Sequence, residues 1–267
     1  MTGVTARKIY AALATVNQKV SCLQVTERIF NAEGLVLRTR ILGEADRLIT
    51  LLTFEEGKFE AVARGARKIK SRLAAGVDLF TYGRFTFHRG KTWPIITGQD
   101  PLERFFWFRD DPDLYPYGLY MAELTDRLIS GEEASAEYCQ LLLDGWRQLG
   151  EKGDRFLICR SFELKLAHIA GYSPHLHSCT NCDSEDTTVF SPRQGGLLCC
   201  NCQGADVIKM DPGTVALARR LIEAPLSQAS LIRPTPDQKR ELARVTAAFL
   251  TYHLDLGEIK SRRLLTD

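Results

Sequence analysis

The chain has 267 residues, of which 45% are hydrophobic, 25% charged and 9% aromatic. A chain of this length forms about two domains and folds without disulfide bonds, since it buries about 70–75% of its unfolded surface. No stretch approaches the roughly 18 uncharged apolar residues of a transmembrane helix, so no membrane span is expected. Residues 1–22 lack the apolar core of a secretory signal, so we expect a cytoplasmic protein.

The net charge of +2 hides an uneven distribution of charge along the chain. Residues 1–109 contain 18 Lys+Arg and 10 Asp+Glu, whereas residues 110–178 contain 6 and 12. Residues 179–267 contain 11 of each kind. Such asymmetry favours a module that binds a polyanion, joined to a part with another role.

The first half of the chain has the pattern of short strands. Strands are predicted over 35–40, 46–54, 58–64, 80–88 and 92–97, with a tight hairpin at Arg89-Gly90-Lys91. In the first strand, Val36, Arg38 and Arg40 share one face. Five short strands with glycine-containing turns fit a small closed barrel better than a parallel α/β sheet.

After Pro101 the pattern becomes helical. Apolar residues recur at helical spacing over 119–129, 135–149 and 155–170, and Gly171 is a natural helix-terminating residue. Asp211-Pro212 has the character of a helix start, predicting a helix to residue 223. A last amphipathic helix is predicted within 234–253. The whole chain is therefore expected to be α+β, with an all-β barrel followed by a helical domain.

Four cysteines form the pattern Cys179-x2-Cys182-x16-Cys199-x2-Cys202. Each Cys-x-x-Cys pair brings two thiolates from one tight turn to a single ion, and two such turns complete the tetrahedral sulfur site that structural zinc prefers. We therefore predict one structural Zn²⁺ ion. Such a site is closed to water and substrate, so its expected role is to fold the surrounding segment.

Other assignments of these cysteines remain open at this point. Cys200 is an alternative third ligand, and His175 or His177 lies close enough in sequence to replace a thiolate. Disulfides are disfavoured in a chain without an export signal, and neither Cys-x-x-Cys pair begins a helix after a strand, as a redox pair would.

A basic segment follows the third predicted strand. Residues 64–72 (RGARKIKSR) contain five cations and no acid. A cationic groove with aromatic platforms is how small barrels bind single-stranded nucleic acid. The aromatic candidates nearby are Phe59, Tyr82, Phe85, Phe87 and Trp93, although most of these are expected in the barrel core.

The sequence contains no motif typical of catalysis. It has no phosphate-binding loop, no dinucleotide-binding glycine pattern after a strand, no HExxH and no GxSxG. We therefore interpret the chain as a binding protein and not an enzyme.

Several motifs in order resemble the bacterial RecO recombination-mediator family. They are EGLVLRTR at 33–40, GEADR at 43–47, ARGARK at 63–68, KSRL at 70–73, RSFELKL at 160–166, GYSP at 171–174 and GGLLC at 195–199. The resemblance covers the chain from about residue 30 to its end. Residues 1–29 are an extension relative to many members, and some members lack the cysteines.

The resemblance implies an OB-fold over 30–105 and a helical domain over 106–267 that carries a zinc-binding insertion at 175–205. It implies binding of single- and double-stranded DNA, strand annealing, and loading of RecA onto DNA coated by single-strand-binding protein. The partners would be RecR and, in some members, RecF, in a nucleoid-associated setting. The DNA-contact candidates are Arg38, Arg40, Arg64, Arg67, Lys68, Lys70 and Arg72, with Arg84, Arg89 and Lys91 as secondary ones.

Two other functions remain alternatives. One is an RNA-binding zinc protein, because a barrel and a zinc ribbon also occur together in that class. The other is an adaptor whose basic face meets an acidic protein partner.

Overall fold

The computed structural model describes residues 28–129, 136–151, 153–254 and 256–265. The predicted N-terminal extension lies outside these residues except for its last two positions. Within the described ranges no helix is both long and apolar enough to cross a membrane.

The first domain is a five-stranded closed barrel. Its strands are β1 (Ile29–Leu42), β2 (Asp46–Thr53), β3 (Gly57–Ala63), β4 (Thr81–His88) and β5 (Ile95–Arg104). Their order around the barrel is β1-β2-β3-β5-β4, and only the β3–β5 pair is parallel. This is the strand arrangement of an OB-fold, so the predicted α+β class with an OB-like barrel is confirmed.

The predicted boundaries of two strands were wrong. β1 is much longer than 35–40, because its first half pairs with β4 and its second half with β2. β5 spans Ile95–Arg104 and not 92–97, because it pairs with the whole of β4, from His88 opposite Ile95 to Thr81 opposite Arg104. The connection between β4 and β5 therefore spans residues 89–94 and is not a tight hairpin.

The rest of the chain is mainly helical. The helices are α1 (Trp107–Asp110), α2 (Tyr115–Leu128), α3 (Ala136–Gly150), α4 (Arg155–Ile169), α5 (Pro212–Glu223), α6 (Leu226–Ala229) and α7 (Pro236–His253). A sheet ordered β7-β6-β8 lies between α4 and α5 in the chain, with β6 (Thr187–Ser191), β7 (Gly196–Cys199) and β8 (Ile208–Lys209). Short 3-10 turns occur at Ala74–Gly76 and Lys260–Leu264.

Capping residues explain where α4, α5 and α7 begin. The Asp154 side chain accepts from the backbone of Leu157 at the start of α4. The Asp211 side chain accepts from the backbone of Gly213 at the start of α5, as the Asp-Pro pair predicted. At α7, Thr235 and Gln238 form a capping box.

The barrel and the helices share one hydrophobic core. Leu35, Leu37, Leu52 and Phe80 of the barrel are buried in the same cluster as α2, α3 and α4. The barrel interior is a separate core built around Val36, Ile49, Leu51, Phe85 and Phe87. The helices therefore pack against the outer surface of β1 and β2 and leave the barrel interior intact.

Candidate nucleic-acid interface and metal centre

The ten cations predicted to contact DNA fall into two groups according to their partners. Three of them are ion-paired, namely Arg38, Arg40 and Arg84. Arg38 Nη2 lies 3.5 Å from Asp126 and 3.7 Å from Glu60, and Arg84 Nε lies 3.1 Å from Glu33. Arg40 also pairs with Glu60. Nearby carboxylates partly compensate their charges, so these three attract phosphate less strongly than the rest.

The other seven cations are exposed and have no carboxylate partner among the described residues. They are Arg64, Arg67, Lys68, Lys70, Arg72, Arg89 and Lys91. The strand register places them at one end of the barrel, because Ala63 pairs with Arg47 and Val62 with Ile95. The end of β3 thus lies between the starts of β2 and β5. We call this the basic end, consisting of residues 43–45, 64–72 and 89–94.

Residues 64–72, the basic loop, are held against the turn between β1 and β2. The backbone N–H of Gly65, which has a φ of +67°, donates to Asp46 Oδ1 over 2.7 Å. The backbone N–H of Arg67 donates to the Ala45 carbonyl, and its guanidinium donates to the carbonyls of Gly43 and Glu44 at 3.0 and 2.8 Å. Arg67 therefore positions the loop as well as carrying charge.

Most of the aromatic candidates belong to the barrel interior. Phe85 and Phe87 are buried, and the Phe59 ring lies 5.2 Å from the Phe87 ring. Tyr82 is half-buried and donates to Glu33. Trp93, in the β4–β5 connection, is the exposed one of the five and can stack with a base at the basic end.

One cation next to the basic end was missed by the sequence interpretation. Arg28 is exposed, and its carbonyl accepts from the backbone of Arg89, 2.8 Å away. The Arg89 guanidinium stacks on Phe30, 4.9 Å from the ring centroid. The alternation of apolar and polar residues over 30–33 was the signal that β1 begins early enough to bring Arg28 beside Arg89.

The four predicted metal ligands are brought together. The Sγ atoms of Cys179, Cys182, Cys199 and Cys202 all lie within 4.8 Å of one another. Each Cys-x-x-Cys pair is closed by a backbone turn: Asp183 N–H donates to the Cys179 carbonyl, and Gln203 N–H to that of Cys199. Four converging sulfurs from two turns have the donor chemistry and arrangement of a metal site.

Glycines allow the two turns to approach each other. Gly195 has a φ of +70°, a backbone conformation that favours glycine. At Gly196, an added Cβ would lie 2.5 Å from Thr180 Cγ2 and 2.7 Å from the His175 carbonyl oxygen. The backbone of β7 therefore passes directly beside the first cysteine turn, whose Thr180 N–H donates to the Leu197 carbonyl.

The electrostatics of the cluster favour a bound cation. Burial raises the pKa of the Cys179 thiol, but hydrogen bonds from the backbone of Cys199, Asn181 and Cys182 outweigh it and lower the pKa to about 6. Hydrogen bonds with Cys182 and Cys199 raise the pKa of Cys202 to about 12. Four neighbouring thiols cannot all ionise without a positive ion, so a divalent metal fits the donor set.

The alternative ligands lie outside this cluster. Cys200 is exposed, and its Sγ is 3.7 Å from the Asn201 side-chain oxygen. His175 Nε2 is hydrogen-bonded to Ser178 over 2.9 Å, and His177 is exposed. The described cluster therefore contains four thiols and neither histidine.

Comparison with known proteins agrees with the arrangement of these parts. The family model for Recombination protein O N terminal matches residues 28–105, and the one for Recombination protein O C terminal matches residues 109–263.

Three similar proteins each bear the name DNA repair protein RecO. That of Heliobacterium modesticaldum is 37% identical over 228 residues, covering 82% of each chain. That of Roseiflexus sp. is 36% identical over 234 residues, covering 86% of this chain and 82% of the relative. That of Thermobifida fusca is 33% identical over 241 residues, covering 89% of this chain and 98% of the relative. The chain described here therefore belongs to the RecO family.

Proposed function

We propose that this protein is a recombination mediator in DNA repair that binds single- and double-stranded DNA through the basic end of its barrel. The observation that carries the proposal is the set of seven exposed cations there without carboxylate partners among the described residues. Concentrated like charge is self-repulsive unless a polyanion neutralises it. Phosphates supply that charge, and Trp93 offers an exposed face for a base.

Annealing of complementary strands follows from the same chemistry. Two single strands repel each other through their phosphates, and a surface that neutralises part of this charge lowers the barrier to pairing. No covalent bond is made or broken in this step, so the proposed role is one of binding and not of catalysis.

The helical part would carry the protein contacts. We propose that the barrel of residues 30–105 holds DNA and that residues 106–267 meet RecR, single-strand-binding protein and, in some settings, RecF or RecA. Together they would load RecA onto coated DNA. The site of action would be the cytoplasm, at the nucleoid.

The metal centre would be structural. We propose that one Zn²⁺ ion is held by Cys179, Cys182, Cys199 and Cys202. When bound, it would cross-link the two cysteine turns. The residues around it are arranged for folding: Cys179 and Cys199 are buried and pack with Val189 and Leu198 in a small core of their own. Because Leu176, Phe190 and Leu197 of the same segment are buried in the main core, the metal would mainly fix the two cysteine turns.

Binding to a labelled single-stranded oligonucleotide across a salt series tests the DNA-binding proposal. If the five cations of the basic loop each meet one phosphate, log K falls against log salt with a slope near −3.5, from about 0.7 per phosphate. The same titration with an RNA oligonucleotide tests the RNA-binding alternative. Tighter binding to RNA than to DNA would favour the RNA-binding alternative. Absence of binding to either nucleic acid would favour the adaptor role.

A charge-reversal variant localises the effect. Lys68→Glu with Lys70→Glu alters two exposed side chains without ion-pair partners among the described residues, and it should slow strand annealing by at least about tenfold. Arg193→Glu with Lys209→Glu is the matched control, because both residues are exposed outside the barrel and the change in net charge is the same. Equal annealing by the two variants would show that the basic end is not the DNA site.

A further inference from the structure

Ile69 is the most exposed large apolar side chain in the described part of the protein. Its exposure is 104% of the reference value, so it contacts almost nothing. It lies between Lys68 and Lys70 at the centre of a turn in which the Ser71 N–H donates to the Lys68 carbonyl over 2.9 Å. Turn centres favour Gly, Pro, Asn, Asp and Ser, so neither the turn nor the core calls for isoleucine here.

The loop that carries Ile69 is anchored on both sides. Before it, Ala66 is buried in the barrel core and Arg67 is bonded to the β1–β2 turn. After it, Leu73 packs against the same core, and the Arg72 carbonyl accepts from the side chain of Gln99 over 3.1 Å. The tip is therefore presented in a defined position, and a β-branched side chain adds little rotamer freedom of its own.

Three other exposed apolar side chains of the barrel lie at or next to the basic end, whereas Leu102, 43% exposed, lies near the far end of β5. Ile41 is 70% exposed beside the β1–β2 turn, and Trp93 is 36% exposed in the β4–β5 connection. Ile29, 55% exposed, pairs with His88 next to that connection. Single exposed apolar residues are ordinary on protein surfaces, but a group of them among uncompensated cations indicates a ligand that is both anionic and apolar.

DNA has this combination in its phosphates and its base faces. We propose that Ile69 is a wedge that enters the base stack at a junction between single- and double-stranded DNA, while Lys68 and Lys70 bind the flanking phosphates. Isoleucine is one of the side chains that proteins insert between bases. A junction is the favoured place, because unstacking costs least where one neighbour is already unpaired. This inference rests on the proposed DNA-binding function.

Its test uses the full-length protein and a duplex with a single-stranded tail, carrying 2-aminopurine at the last base pair before the tail. This base fluoresces more strongly when it is unstacked. The variants are Ile69→Ser, which removes the wedge, and Ile69→Met, which keeps an apolar one. Leu231→Ser is the matched control, since Leu231 is 71% exposed in the helical domain. Thermal unfolding of all four proteins should agree, because Ile69 has no packing to lose.

Wild type, Ile69→Met and Leu231→Ser should raise the fluorescence at saturation, and Ile69→Ser should not. Ile69→Ser should also bind the junction about tenfold more weakly, equivalent to 1.4 kcal/mol. Its affinity for a plain single strand should fall by less than its affinity for the junction, and the slope against salt should be unchanged, because no charge is lost.

Two outcomes would overturn the wedge and leave the DNA-binding proposal standing. One is that Ile69→Ser raises the fluorescence as wild type does. The other is that it weakens binding to the junction and to the plain single strand equally. Failure of wild type to bind either DNA would overturn the proposed function and the wedge with it.

Discussion

Lys58 on β3 donates through Nζ to the Asp126 carboxylate on α2 across 3.1 Å. Both side chains are largely buried, with 18% and 11% exposed, and the same ammonium also donates to the Asp126 carbonyl. Arg38 approaches the other carboxylate oxygen of Asp126. One acidic residue of the helical domain thus joins two strands of the barrel to α2.

We expect Asp126→Asn to lower the free energy of unfolding by about 1–2 kcal/mol, because Lys58 keeps its charge in a partly buried place with only neutral acceptors. Urea denaturation measures the change. Glu258→Gln is the control, since the Glu258–Arg263 pair is exposed and should contribute below about 0.5 kcal/mol. Equal effects of the two substitutions would contradict the assigned role of Asp126.

The ion pairs of Arg38 predict that it differs from Lys70 in DNA binding. Lys70→Gln should make the slope of log K against log salt on single strands shallower by about 0.7, the value for one phosphate contact. Arg38→Gln should change that slope less than Lys70→Gln does, because Arg38 is ion-paired with Asp126 and Glu60, and it should cost less than about 1 kcal/mol of stability. Both slopes come from anisotropy titrations. An equal change of slope in the two variants would place Arg38 in the DNA site.

The cysteine cluster predicts that substitutions of Cys199 and of its neighbour Cys200 differ sharply in their effects on zinc content and stability. Cys199→Ala should abolish stoichiometric zinc and cost at least about 3 kcal/mol, because part of a metal-binding energy of about 10–16 kcal/mol is lost. Cys200→Ser should keep both the metal and the stability, since Cys200 lies outside the cluster. Elemental analysis and thermal unfolding measure the two properties. A full complement of zinc in Cys199→Ala would show that the ligand set is wrong.

The contacts of Glu123 predict that the docking of the 3-10 turn at Lys260–Leu264 depends on pH. Burial raises its pKa, but hydrogen bonds from the side chain and backbone of Ser261 and the backbone of Lys260, together with the Arg127 charge, lower it below its ordinary 4.5. A carboxyl group with a lowered pKa stabilises the fold above its unfolded pKa, and this contribution disappears as pH falls through the folded value.

The difference in stability between wild type and Glu123→Gln should therefore be full above about pH 5 and shrink as the pH falls below that. Urea denaturation of both proteins along a pH series measures it. A difference that stays constant down to acid pH would show that ionised Glu123 does not hold the C-terminal turn.

A buried ion pair lies inside the helical domain. Arg160 Nη2 is 2.9 Å from Glu163 Oε1 on α4, and Tyr120 donates to the same oxygen over 2.5 Å. Burial and the Glu163 charge raise the pKa of Tyr120 well above its ordinary value, so its hydroxyl remains a donor.

Glu163→Gln should cost about 3–5 kcal/mol, because it leaves the guanidinium buried and unpaired. Glu163→Leu with Arg160→Met should recover most of this loss, since it removes both charges. Equilibrium unfolding of Glu163→Leu, Arg160→Met and the double variant measures the coupling, and simple additivity would argue against a paired role.

Much of the architecture followed from local pattern. Apolar residues at helical spacing located α4 and α7, and the Asp-Pro start located α5, because caps and periodicity act within a few residues. The strand boundaries were less accurate, because β1 owes its length to two different partners at distant places in the chain. The pairing of four cysteines into one cluster was predicted because Cys-x-x-Cys spacing already sets the geometry of each half.

The sequence by itself determined the barrel-plus-helices class, the basic character of residues 64–72 and the two Cys-x-x-Cys pairs. Only the tertiary structure left Cys200, His175 and His177 outside the cluster. Only the tertiary structure decided which cations are free. Arg38 and Lys70 are equally basic in the sequence, yet Arg38 forms an ion pair with Asp126, 88 residues further along the chain, and Lys70 forms none among the described residues. Net electrostatic potential depends on distances in space, and those distances exist only after the chain has folded.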